Sequence, residues 1–112
     1  MIIEKVICDY LNTKLDCSAL PEKPDRPFGR MVFVEKTGGR GEHITESTVA
    51  IQSYEASLYK AALLNENVKA AMRTLTEIPE ICKVTLNSDY NYSDTTTKEY
   101  RYQAVYNIVH FA

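Results

Sequence analysis

Residues 26–75 read RPFGRMVFVEKTGGRGEHITESTVAIQSYEASLYKAALLNENVKAAMRTL, and their order decides the fold: strand, glycine-rich loop, strand, long amphipathic helix. Met31, Val32, Phe33 and Val34 form a β-branched and aromatic run. Thr48, Val49, Ala50 and Ile51 answer it beyond Thr37-Gly38-Gly39-Arg40-Gly41. Two such runs joined by a loop holding three glycines predict an antiparallel hairpin, with strands over 28–36 and 45–54 and a long tip. Met31 and Phe33 fall on one face of the first strand, Val32 and Val34 on the other. Both faces are apolar, which predicts a sheet covered on both sides near its centre. In the second strand Val49 and Ile51 alternate with Thr48, Ala50 and Gln52, a less apolar face open to solvent or to a partner. The helix is predicted over 57–75, with Ser57 as N-cap and Pro79 beyond its end. Leu58, Ala61, Ala62, Leu64, Val68, Ala71, Met72 and Leu75 recur at a 3.6-residue period and form a stripe whose first meaning is core.

The flanking segments read as partners for this unit. A first helix over 2–15 gathers Ile2, Ile3, Val6, Ile7, Tyr10, Leu11 and Leu15 on one side. Residues 17–20 make a short strand. PEKPDRP over 21–27, with three prolines, is an extended connector. Ile81-Cys82-Lys83-Val84-Thr85-Leu86 is a further strand, and NSDYNYSDTTTKE over 87–99 a polar loop. YRYQAVYNIVHF over 100–111 is the strongest strand: Tyr100, Tyr102, Ala104, Tyr106 and Ile108 on one face, Val105, Val109 and Phe111 on the other. The expectation is one domain over 1–112, of α+β class. A mostly antiparallel four- to five-stranded sheet carries two helices packed on one face.

Composition narrows the functions. Hydrophobic residues make up 45% and charged residues 25% of the 112 positions, ordinary values for a folded domain. A net charge of −2 argues against a general nucleic-acid binder, which carries a basic face. Cys8, Cys17 and Cys82 are odd in number and lack metal-ligand spacing, so reduced thiols in a cytoplasm are the default. The charges in MIIEKVICDY speak against a signal peptide, and no stretch has the length of a membrane span.

Chemistry has few footholds. His43 falls in the loop tip and His110 near a strand end; Cys8 or Cys17 as a thiolate partner for either is a remote reading, because Cys8 sits in an apolar helix stripe. KTGGRGEH invites a phosphate-loop reading that fails on context, since the loop returns into a strand instead of opening a helix. No catalytic, cofactor-binding or metal-ligating residue is assigned, and no small-molecule substrate. The mixed charge of Lys36, Arg40 and Glu42 around Thr37, Gly38 and Gly39 suits a mobile tip that orders against a neighbouring subunit, and suits a simply solvated tip equally well. Tyr90, Tyr92 and Arg101 belong to a tyrosine-rich C-terminal quarter that suits interfaces, although tyrosine also simply favours strands.

Four pieces, in order, carry a resemblance: Arg26-Pro27; Val34-Glu35-Lys36-Thr37-Gly38-Gly39; Tyr54-Glu55-Ala56-Ser57 with Ala61; and Tyr100-Arg101-Tyr102. From about Ile3 to Phe111 the chain resembles the tail terminator (tail completion, tail-to-head joining) proteins of long-tailed bacteriophages and prophages. The resemblance implies a small non-catalytic α+β protein, made in the bacterial host cytoplasm and residing in the virion. It implies a homo-hexameric ring at the head-proximal end of the tail tube, which stops tube polymerisation and joins the head connector. DNA would pass the lumen without specific binding, in keeping with the absent basic excess. The expected contact residues are Lys36, Thr37, Gly38, Gly39, Arg40, Glu42, Tyr90, Tyr92 and Arg101, from the tip (36–43) and the 87–99 loop. The alternatives are another phage neck component, a head-closure or tail-tube protein, or a small nucleic-acid-binding α+β module.

Overall fold

A computed structural model describes residues 1–25 and 29–112. The Arg26-Pro27 pair, the end of the proline connector and the expected start of the first hairpin strand at 28 lie outside the described residues. The elements are α1 (Ile3–Lys14), β1 (Ser18–Leu20), β2 (Met31–Arg40), β3 (Ile44–Glu55), α2 (Leu58–Met72), a single 3-10 turn (Leu75–Glu77), β4 (Ile81–Asn91) and β5 (Tyr100–Phe111). They form the expected α+β arrangement: one five-stranded sheet in the order β1-β2-β3-β5-β4, antiparallel except where β1 runs parallel to β2.

Both helices lie on one face of this sheet. Val32 and Val34 of β2, Val49 and Ile51 of β3, and Ala104, Tyr106 and Ile108 of β5 pack against Ile3, Ile7 and Leu11 of α1 and Leu64, Val68 and Met72 of α2. Each large side chain buried here contributes roughly 1.5–3 kcal/mol relative to exposure. The two faces expected for β5 are the two observed. The Tyr10 hydroxyl of α1 donates to the Thr74 carbonyl at 3.0 Å and ties the helices together. Ser57 caps α2 by accepting from the Lys60 amide at 3.2 Å.

Four expectations are corrected. The α2 stripe does not include Leu58, which is 41% exposed because it is the first helical residue and turns outward. Ile2, expected on the apolar side of α1, is likewise exposed, as the residue before the helix. The β3 face of Ala50 and Gln52, expected to be open to solvent or to a partner, is buried at both positions, together with Met31, Tyr54 and Gln103 on the same side of the sheet, although both helices pack on the other side. Finally, β2 and β4 are longer than the hydrophobic pattern predicts. Pairing with β3 carries β2 through Arg40, with Thr37 as a bulge between the Lys36↔Val49 and Gly38↔Thr48 pairs. Pairing with β5 carries β4 through Asn91, so Tyr90 is a strand residue.

The side chain of Asn12 closes one sheet edge. Its Oδ1 accepts from the Ala19 amide at 2.8 Å and its Nδ2 donates to the Ala19 carbonyl at 3.2 Å. One amide from α1 thus takes the place of a sixth strand beside β1.

Candidate assembly interface

The hairpin end is built by a short turn. Only 41–43 separate β2 from β3, so Lys36, Thr37, Gly38, Gly39 and Arg40 belong to strand backbone while Glu42 sits in the turn. Gly41 has φ +94°, and a Cβ there would stand 2.2 Å from the Ile44 carbonyl oxygen, so glycine is required. Arg40 and Glu46 pair across the hairpin at 3.3 Å. Ile44 and Phe111 are cross-strand neighbours, 57% and 50% exposed. Because β1 covers only Met31–Phe33, the outer backbone of Glu35–Arg40 has no strand beside it among the described residues.

At the other end of the strands, on the face without helices, Arg101 holds a polar network. Its Nη1 donates to the Tyr54 hydroxyl at 2.9 Å and to Glu99 Oε1 at 3.0 Å, and its Nε donates to the Tyr92 carbonyl at 2.7 Å. The guanidinium stacks 4.8 Å from the Tyr92 ring centroid. From Tyr54 the chain of hydrogen bonds runs to Gln52 (2.9 Å), then to Gln103 (2.8 Å), then to the Tyr90 hydroxyl. Lys23 reaches over this end from the proline connector, 5.4 Å above the Tyr54 ring and 3.3 Å from Glu99. The predicted contact residues therefore form two groups: Tyr90, Tyr92 and Arg101 meet in one network, while Lys36 to Glu42 lie toward the opposite strand end. The register steps from the Met31 level to the Arg40 level, about 30 Å at the rise of a strand.

Sequence reading missed Gln52, Tyr54 and Gln103 as network members. The available signal was polar side chains at alternate positions of two strands, which read as a solvated face until cross-strand pairing is known. It also missed the open side of β4. That strand forms the far edge of the sheet, is exposed along most of its length and carries register shifts at Ile81/Lys83 and Leu86/Ser88. Beside it Lys69 of α2 joins Glu66 (2.9 Å) and Asp89 (3.2 Å); the Glu66 hydrogen bond comes first among the causes that raise the Lys69 pKa.

The titratable pairs considered from sequence stay apart. His110 is buried, its Nε2 2.8 Å from Ser47 Oγ and its Nδ1 2.7 Å from the Phe111 carbonyl. Donation from Nδ1 to that carbonyl leaves Nε2 to accept from the serine. Ser47 has no exposed surface, so this hydrogen bond is sealed in the core. Cys8 is buried in α1, and burial pushes its thiol up to about 11. Among the described residues no three His, Cys, Asp or Glu side chains converge, and no helix is long and apolar enough to cross a membrane. No family model matches the chain, and no curated protein matches it in sequence.

Proposed function

We propose that this chain is a ring-forming structural subunit of the tail-terminator type: it closes the head-proximal end of a phage tail tube, ends tube growth and presents the joint to the head connector. The observation that carries the reading is the pair of unlike open flanks on one small sheet. On one side the outer backbone of Glu35–Arg40, bonded to β3 on its inner side, has no further strand beside it among the described residues; on the other the whole of β4 is an edge. A cyclic ring is made from heterologous contacts and needs two different surfaces on opposite sides of each subunit. An edge strand in a lone protein is a liability that a ring neighbour removes. The sequence resemblance of the hairpin and of Tyr100-Arg101-Tyr102 supports the same reading. Two helices on one sheet face favour a terminator over the barrel-like neck components.

The test is tube growth. Tail-tube protein from the phage or prophage carrying the gene is polymerised with and without this chain, and lengths are measured in electron micrographs. Short tubes with a ring at one end are expected. Tubes of unchanged length with bare ends would overturn the proposal.

A further inference from the structure

On the helix side of the sheet, between α2 and the outer strand β4, a cavity of about 190 Å³ opens to solvent. Met72, Val84, Leu86 and Tyr106 give it an apolar side, and Lys69, Arg73 and Thr76 line the rest. Leu86 is 42% exposed although it faces the helix layer in register with Tyr106. Lys69 is already engaged by Glu66 and Asp89. Arg73, just past the end of α2, is exposed and has no ion-pair partner among the described residues. The site is thus a hollow with one apolar side and, in its lining, a cation that has no ion-pair partner among the described residues.

The complementary surface is on the opposite flank. The β2–β3 turn exposes Glu42, which has no ion-pair partner among the described residues, two positions from Ile44, 57% exposed. Ile44 is level with Phe111 along the strands, and the cavity residues Val84 and Leu86 are level with Ile108 and Tyr106. The turn and the hollow therefore lie toward the same strand end, about 10–17 Å apart along the strands, with β5 between β3 and β4. Two complementary surfaces fixed on separate flanks of a rigid sheet meet only between copies, which is the head-to-tail geometry of a ring.

We propose that the β2–β3 turn of one copy seats in the α2–β4 groove of the next, with Ile44 entering the hollow against its apolar side and Glu42 pairing with Arg73. This rests on the ring reading above and adds which surfaces meet. An aliphatic side chain that excludes water around one charge pair is the arrangement that gives an interface both affinity and register.

Charge exchange tests it. Glu42→Arg and Arg73→Glu are made singly and together, and assembly is followed by light scattering behind size exclusion across a concentration series. Both positions are exposed, and thermal unfolding of each monomer checks that the fold is intact. Each single reversal is expected to weaken assembly about tenfold or more, and the double exchange to recover most of the loss. Ile44→Asp is expected to weaken assembly without rescue by either. A wild-type ring whose mass is unmoved by all three single changes would overturn this contact and leave the ring standing. A wild type that is monomeric at every concentration would overturn the contact and the self-assembled ring together, and tube growth then decides the tail-capping role separately.

Discussion

Arg101 and Tyr54 sit directly opposite each other on β5 and β3, and the arginine meets the tyrosine twice. Its Nη1 donates to the hydroxyl at 2.9 Å, and its guanidinium carbon lies 5.6 Å from the ring centroid. Tyr54 is almost wholly buried on a sheet face that has no helix over it among the described residues. The arginine is part of its cover, together with Lys23, and both are held by Glu99. The tyrosine-rich end of the molecule is therefore organised internally before any partner arrives.

Arg101→Ala should cost about 2–3 kcal/mol, because it strips charge-assisted bonds from the Tyr54 hydroxyl and the Tyr92 carbonyl at once. Arg101→Lys should recover little, since an ammonium cannot reproduce the fork and the stacking. The urea midpoint measures both. A change below about 0.5 kcal/mol for Arg101→Ala would show that the network adds nothing to stability.

Asn12→Ala tests the side chain that stands in for an edge strand. It leaves the amide and carbonyl of buried Ala19 without their partner and should destabilise by about 1 kcal/mol or more. Hydrogen exchange at Ala19 should rise well ahead of the rest of the sheet. Unchanged exchange there would mean that β1 is held by β2 alone.

Glycines in the hairpin should separate sharply. Gly41→Ala forces a Cβ into the Ile44 carbonyl at a left-handed φ and should cost about 1–3 kcal/mol. Gly38→Ala meets nothing within 4 Å and should be neutral within about 0.5 kcal/mol. Equal melting temperatures for the two variants would contradict the turn geometry.

Alkaline pH should weaken the fold in a defined window. Burial raises Cys8 from 9.0 to about 11 and Tyr106 from 10.0 to about 12. The folded chain keeps these protons where the unfolded chain has released them. Their contribution to stability is therefore complete below pH 9 and is lost as pH rises, for Cys8 across 9 to 11 and for Tyr106 across 10 to 12. Denaturation midpoints at a series of pH values should fall over this range, and Cys8→Ala should flatten the earlier part. A midpoint unaffected by that substitution across pH 9 to 11 would contradict it.

Reversing Lys36 and Arg40 to glutamate should weaken assembly while leaving the monomer folded, because both lie on the half of β2 whose outer edge has no strand beside it among the described residues. Arg40 loses only an exposed pair with Glu46, worth little by itself. Sedimentation of the double variant checks this; assembly equal to wild type would remove the β2 edge from the interface.

The element order and class were legible because periodicity is a local property. Val32/Val34, Val49/Ile51 and Ala104/Tyr106/Ile108 alternate as core strands must, and the α2 stripe repeats as a core helix must. The errors lie where distant pairing overrides local preference. Thr37-Gly38-Gly39 reads as loop, yet the β3 ladder keeps it as strand, with the bulge at Thr37 absorbing the extra residue. Asn87-Ser88-Asp89 reads as loop for the same reason, and the long β5 ladder holds it extended. The parallel seat of β1 and the Arg101–Tyr54 pair depend on register, which no single segment encodes.

The most direct measurement is mass and shape in solution: light scattering behind size exclusion at rising concentration, with negative-stain images of the largest species. The account predicts a closed particle with a central hole and about six times the 12.7 kDa chain mass. A monomer at every concentration, with no closed particles, would contradict it.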